Sequence, residues 1–148
     1  MPATVLRTVT DENLEYTVKK SSRVDINSSL VYIAPSLGRG NGLFLAKDVP
    51  SATIIASGPG IEIAPTEWEA FDKTNPSNYA FEHPRDVNAA ILVLGLPSIL
   101  NHSRTPNCRY QWDYHEGICW VLNMITLSDL KADTELTFDY ECSWFDVV

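Results

Sequence analysis

The sequence predicts a mostly β domain, several short curved sheets with few short helices. Three observations carry that expectation. Short apolar or aromatic runs recur between turn residues, Gly, Pro, Asn and Asp punctuate them throughout, and only one stretch carries a clear helix start. The expected strands are "LVYIA" (30–34), "GLFLA" (42–46), "TIIAS" (53–57), "IEI" (61–63), "NYAFE" (78–82), "CRYQW" (108–112), "GICWVLNMI" (117–125) and "ELTFDY" (135–140). The helix start is Thr66-Glu67-Trp68-Glu69 after Pro65, read as a capping box opening a helix to about Lys73. A second short helix is expected over Asn88 to Leu94 or Pro97 to Leu100, with the Gly95–Pro97 break leaving its limits open.

The 148 residues are enough for one domain with a real core. An apolar fraction of 45% and a charged fraction of 20% are those of a soluble globular chain. No apolar run is long enough to span a bilayer, and "MPATVLRTVTDENLEY" has neither the basic nor the apolar segment of a secretory signal. Three cysteines without a CxxC pair point to a reduced, intracellular protein, cytoplasmic or nuclear and not secreted. The sequons at Asn27 and Asn101 are then expected to go unused. A net charge of −8 argues against direct nucleic-acid binding and is compatible with a basic partner.

Three stretches concentrate polar chemistry. "SLGRGNGLFLAKDVP" (36–50) places Gly38, Gly40 and Gly42 ahead of a strand, where backbone can approach a ligand. It is no dinucleotide fingerprint, because the third glycine is misplaced and no βαβ unit follows. "LNHSRTPNC" (100–108) follows the apolar run "AAILVLGLPSIL" and could be structural, its Asn and Ser satisfying loop backbone. "LKADTELTFDY" (130–140) reads as a turn feeding a strand that ends in a tyrosine. His83, His102 and His115 are scattered without ligand spacing, so no metal is expected.

Taken in order, these stretches resemble the SET domain, the β-clip-like fold of protein lysine methyltransferases. The matching residues are Gly40-Asn41-Gly42-Leu43-Phe44, Asn101 to Cys108 and Glu135 to Tyr140. The resemblance implies a SET domain over 30–148 and an N-terminal extension of unknown role over 1–29. It implies a knot-like crossing in which one of the "NHS" and "ELTFDY" segments passes through a loop of the other. That crossing would be shared by a cofactor pocket and a lysine pocket. S-adenosylmethionine would be held by Gly40, Asn41, Gly42, Asn101, His102, Tyr79 and Trp144. Tyr140 would be catalytic, and Tyr110, Tyr79, Phe138 and Tyr140 would line the lysine channel.

The chemistry behind that implication is a direct displacement at a sulfonium methyl by a neutral amine. With a reference pKa near 10.4, about one lysine in a thousand is neutral at pH 7.4, a cost of roughly 4 kcal/mol. A narrow aromatic channel and a cationic cofactor both lower that pKa. Tyrosines, apolar with polar tips, suit such walls. The sequence departs from histone-directed members that close the channel with a cysteine-rich, zinc-binding segment. Eight residues follow Tyr140, with Cys142 alone among them, so closure would fall to Trp144 and Phe145. Read by themselves, Trp112, Trp120, Trp144 and Phe145 are core residues. A homodimer and a monomer stand equally open. The substrate would be a histone tail or another Lys-rich protein. The alternative is a SET-fold module that binds peptide or cofactor without catalysis.

Overall fold

The structure is a computed structural model that describes residues 24–25 and 28–141. Trp144, Phe145, Cys142 and nearly all of the 1–29 extension lie outside the described residues. Among the described residues ten strands form two five-stranded sheets. The first contains β1 (Val24–Asp25), β2 (Val31–Ser36), β3 (Gly40–Leu45), β10 (Glu135–Phe138) and β7 (Asn101–His102), side by side in that order. The second contains β5 (Ala80–Glu82), β6 (Ala90–Val93), β4 (Ile54–Ile63), β9 (Cys119–Thr126) and β8 (Cys108–His115), again in that order. The mostly β expectation holds.

β2 and β3 form a hairpin whose register runs from Val31↔Leu45 to Ser36↔Gly40. Its turn closes with the Arg39 amide donating to the Ser36 carbonyl at 3.0 Å, and Gly38 takes φ +73° there. Alternation places Leu43 and Leu45 wholly inside, where they meet Leu136 from β10 and Leu122 and Met124 from β9 in one continuous core. Each of these is 0% exposed, so truncating any of them to Ala costs about 2–5 kcal/mol.

Most ladders are antiparallel. The exception is β10 with β7, a parallel pair with Thr137↔Asn101 and Phe138↔His102. The two segments expected to cross therefore do meet, and this ladder is where. The Ser103 amide extends it by donating to the Phe138 carbonyl at 3.0 Å.

The helical expectations need correction. Among the described residues the α-helix, α1, spans Pro65–Phe71, so its N-cap is Ala64 and not Thr66. Pro65 needs no N–H partner at the first helical position and its fixed φ suits it. Glu67, at the third position, reaches back to accept the Ala64 amide at 3.0 Å. The helix ends before Lys73. The run expected to hold a second helix splits: Ala90–Val93 is β6, and Leu96–Ile99 is a 3-10 helix beyond Gly95 at φ +92°. Ile91 and Val93 are buried in β6, and four residues satisfy a strand but not an α-helix. "TIIAS" and "IEI" are one ten-residue strand, with a register shift between Ile54 and Ala56. A further 3-10 helix, Asn75–Tyr79, takes Tyr79 out of the expected strand.

Candidate active site

Tyr140 follows β10 and leaves the sheet at its end. Its backbone amide donates to His102 Nδ1 at 2.9 Å, and its hydroxyl donates to the Leu100 carbonyl at 2.7 Å. Because Nδ1 is an acceptor, the ring proton of a neutral His102 sits on Nε2. The two rings lie 5.1 Å apart. Tyr140 is thus clamped to the residues before and within β7. Burial is the main cause that pushes its hydroxyl up to about 12, with Tyr79 acting in the same direction and Arg39 opposing. At neutral pH the group is a phenol that gives its proton to Leu100, so towards another group its oxygen acts as an acceptor.

Tyr140 opens on a cleft of about 630 Å³. The floor is aromatic. Phe138 lies 4.6 Å from Tyr140, 6.0 Å from Tyr110 and 5.7 Å from Phe81, centroid to centroid. Phe81 also meets Tyr110 edge-on at 5.7 Å and Trp112 at 5.9 Å. Helix α1 contributes Trp68 and its C-cap residue Asp72, and the 3-10 helix that follows contributes Tyr79. Tyr79 is 55% exposed and forms rim, not floor. Among the described residues three carboxylates, Asp72, Glu82 and Glu141, line this cleft, and no Lys, Arg or His does.

A second group of residues lies away from the cleft lining, around the other strands of the first sheet. Asn101 Nδ2 donates to the Asn41 carbonyl at 3.0 Å and to Glu135 Oε1 at 2.8 Å. Glu135 Oε2 accepts from Ser36 Oγ at 3.0 Å. Gly42 makes this possible: a Cβ there would stand 2.6 Å from Glu135 Oε1 and 3.2 Å from Asn101 Nδ2. Gly40 serves differently. Its φ of +73° is a turn requirement, and a Cβ built on it would meet nothing within 4 Å. Arg39 from the same hairpin donates to the His102 carbonyl at 2.8 Å. Asn107 fastens β10 from the side, its Nδ2 on the Glu135 carbonyl at 2.7 Å and its Oδ1 accepting the Thr137 amide at 2.9 Å.

Residues 40–141 match the SET domain family. That span runs from the glycine hairpin to the residue after Tyr140. The chain belongs to the SET domain family. Among its relatives is the histone-lysine N-methyltransferase SETD7 of Halocynthia roretzi, 31% identical over 123 residues, 76% of this chain and 32% of that protein. Another is the Schizosaccharomyces pombe histone-lysine N-methyltransferase, H3 lysine-37 specific, 26% identical over 128 residues, 84% of this chain and 82% of that protein. The chain thus spans about a third of the length of the first relative. A crystal structure of a candidate histone methyltransferase from Plasmodium falciparum shares the fold, with a TM-score of 0.61 and 24% identity over 80% of this chain and 98% of that one.

Within this SET domain the expected site residues fall into the two groups just described. Tyr79, Tyr110, Phe138 and Tyr140 line the cleft; Gly40, Asn41, Gly42, Asn101 and His102 do not. Leu100 and Tyr140 on one side and Asn101 and His102 on the other make the junction. Tyr79, expected in both pockets, is on the cleft side. Trp144 lies outside the described residues. Sequence reasoning assigned no role to Glu135, Asn107, Arg39, Ser36, Phe81 or Trp68. For the first two the signal was present, because both fall inside the matched motifs. Among the described residues no group of three or more His, Cys, Asp or Glu side chains could hold a metal ion, and no helix is long and apolar enough to cross a membrane.

Proposed function

We propose that the protein is a protein-lysine N-methyltransferase that uses S-adenosylmethionine and acts on a basic segment of a histone or another Lys-rich protein. The carrying observation is Tyr140: it lies in the matched family span, half-buried at the junction of the aromatic cleft and the Asn101–His102 strand. The naming of two relatives as histone-lysine N-methyltransferases supports the same reading.

The residues present fit the cofactor. The hairpin at Gly40 and Asn41 and the strand Asn101–His102 are adjacent, and Gly40 leaves open space where a side chain would stand. The carboxamide of Asn101 has an acceptor oxygen to offer to a cationic or N–H donor group. When bound, the cofactor would supply an electrophilic methyl on a positively charged sulfur.

Everything else would be done by the chain. Phe81, Phe138, Tyr110 and Tyr140 would exclude water from a lysine side chain and favour its neutral form. The Tyr140 oxygen, its own proton spent on Leu100, would accept a hydrogen bond from the attacking amine and hold its lone pair in line. Asp72, Glu82 and Glu141 would attract the positive charges flanking the acceptor lysine. The threading of the "NHS" and "ELTFDY" segments, the division at residue 30 and the roles of the individual site residues belong to this proposal.

The test is transfer of a labelled methyl group to histones and to a cell extract, wild type beside Tyr140→Phe. Incorporation should fall at least about a hundredfold in the variant, about 2.7 kcal/mol of transition-state stabilisation. Cofactor binding without transfer to any protein would favour the non-catalytic module.

A further inference from the structure

Glu135 carries a role that the motif alone does not assign. A carboxamide nitrogen has two hydrogens. In Asn101 one goes to the Asn41 carbonyl at 3.0 Å and the other to Glu135 Oε1 at 2.8 Å. Both partners are pure acceptors. Turning the amide over would set its oxygen against a carbonyl and a carboxylate at once, two repulsive contacts in place of two bonds. The orientation of the amide is therefore chemically determined. Its Oδ1 has no hydrogen-bond partner among the described residues and is left to accept from a ligand.

Glu135 is itself held still. Ser36 Oγ binds its second oxygen at 3.0 Å, Asn107 binds its backbone carbonyl at 2.7 Å, and the bare backbone of Gly42 gives the carboxylate room against β3. Its strand neighbour Leu136 is 0% exposed and fixes the start of β10 in the core. The chain of support runs from the core through Glu135 to Asn101. It does not pass through Tyr140 or the cleft.

We propose that Glu135 is a positioning residue: it locks the Asn101 carboxamide with its carbonyl oxygen outward, pre-set to accept from an N–H donor of the cofactor. This rests on the methyltransferase reading above. The role belongs to the acceptor atom in its place. The negative charge is secondary, because the groups that Glu135 binds, an amide and a hydroxyl, are neutral.

Two substitutions separate position from charge. Glu135→Gln keeps a carbonyl acceptor at the same reach and removes the charge. Glu135→Asp keeps the charge and withdraws the acceptor by one carbon–carbon bond. Binding of S-adenosylmethionine is measured by calorimetry on proteins shown to be folded by their melting transitions. Glu135→Asp should weaken binding about tenfold, the size of one ordinary hydrogen bond lost from the support of Asn101. Glu135→Gln should restore it to within about threefold of wild type. Neither should move the KM for peptide. In an Asn101→Ala background, Glu135→Asp should add nothing further. Equal binding by wild type and Glu135→Asp, or a Gln variant as weak as the Asp variant, overturns the proposal. So would a fast-exchanging, averaged pair of Asn101 side-chain amide protons in the NMR spectrum of the unsubstituted protein. A wild-type protein that binds no S-adenosylmethionine overturns the methyltransferase reading itself.

Discussion

The Tyr140 hydroxyl donates to the Leu100 carbonyl at 2.7 Å, across 40 positions of sequence. The bond ties the end of the Leu130–Tyr140 motif to the residue that opens the Leu100–Cys108 motif, and it fixes which way the phenol proton points. Burial keeps that proton in place, with the hydroxyl raised from 10.0 to about 12.

That shift makes stability depend on alkaline pH. Below about pH 10 the tyrosine is protonated in folded and unfolded chains alike, so the bond contributes in full. Between 10 and 12 the unfolded chain loses the proton that the folded one keeps, and stability falls as pH rises. The loss should be on the order of 1–2 kcal/mol, after allowing for solvent at the ring edge. The buried Cys108 thiol, raised from 9.0 to about 12 chiefly by burial, adds a decline that starts one unit lower. Urea unfolding of wild type and Tyr140→Phe at pH 9 and pH 11 checks this. The variant should lose less between the two; parallel losses would mean the hydroxyl titrates as an ordinary exposed one.

On the proposed methyltransferase reading, Tyr110 would bear on how many methyl groups are added. Its ring stands edge-on to Phe81 and Phe138 in the cleft floor. If its hydroxyl restrains the amine, Tyr110→Phe should shift the product towards higher methylation states, with little loss of stability. Mass spectrometry of the peptide product decides it, and an unchanged distribution would exclude Tyr110 from that role.

The acidic lining of the cleft predicts a substrate preference. In the double variant Asp72→Asn, Glu82→Gln the KM for a peptide with basic flanks should rise about threefold to tenfold, with kcat nearly unchanged. The wild-type KM should also rise with salt more steeply than that of the variant. A peptide with neutral flanks serves as the control. If both peptides respond equally, the carboxylates do not read the flanks.

Gly42→Ala tests the packing behind Asn101. The new methyl group would stand 2.6 Å from Glu135 Oε1 and 3.2 Å from Asn101 Nδ2, so two hydrogen-bonded side chains must move together. A cost of about 1–3 kcal/mol is expected, seen as a lowered melting temperature. Weaker cofactor binding should accompany it. An unchanged melting temperature would show that the carboxylate swings aside freely.

Much of this was legible in the sequence because short strands between turn residues announce themselves, and because the three motifs keep their order. The β2–β3 hairpin and β8 to β10 fall close to where alternation and turn chemistry put them. The 3-10 helix at Asn75–Tyr79 and the split of 89–100 were not legible. Both depend on what packs around a short segment, which no local pattern encodes. Thr66 misled for a related reason: a sequence that fits a capping box was pre-empted by Pro65, one residue earlier. Within the site, Tyr140, Asn101 and Gly42 could be picked out by type. For Glu135 the signal was its place inside the motif and not its type, because a glutamate at the start of a strand looks like a solvated surface residue until Gly42, Ser36 and Asn101 are seen around it.

The parallel ladder of β7 with β10 has a consequence for the nascent chain. β10 is the strand that sits between β3 and β7, and it is the last of the ten to be made. While a ribosome is still synthesising residues before 135, the glycine hairpin and the Asn101–His102 strand both exist without the segment that joins them. Their closure spans a long loop and is entropically costly until Leu136 and Phe138 enter the core. The joining of the hairpin to the Asn101–His102 strand is therefore late and all at once, a property of the finished fold rather than of either half carried on the way out of the ribosome.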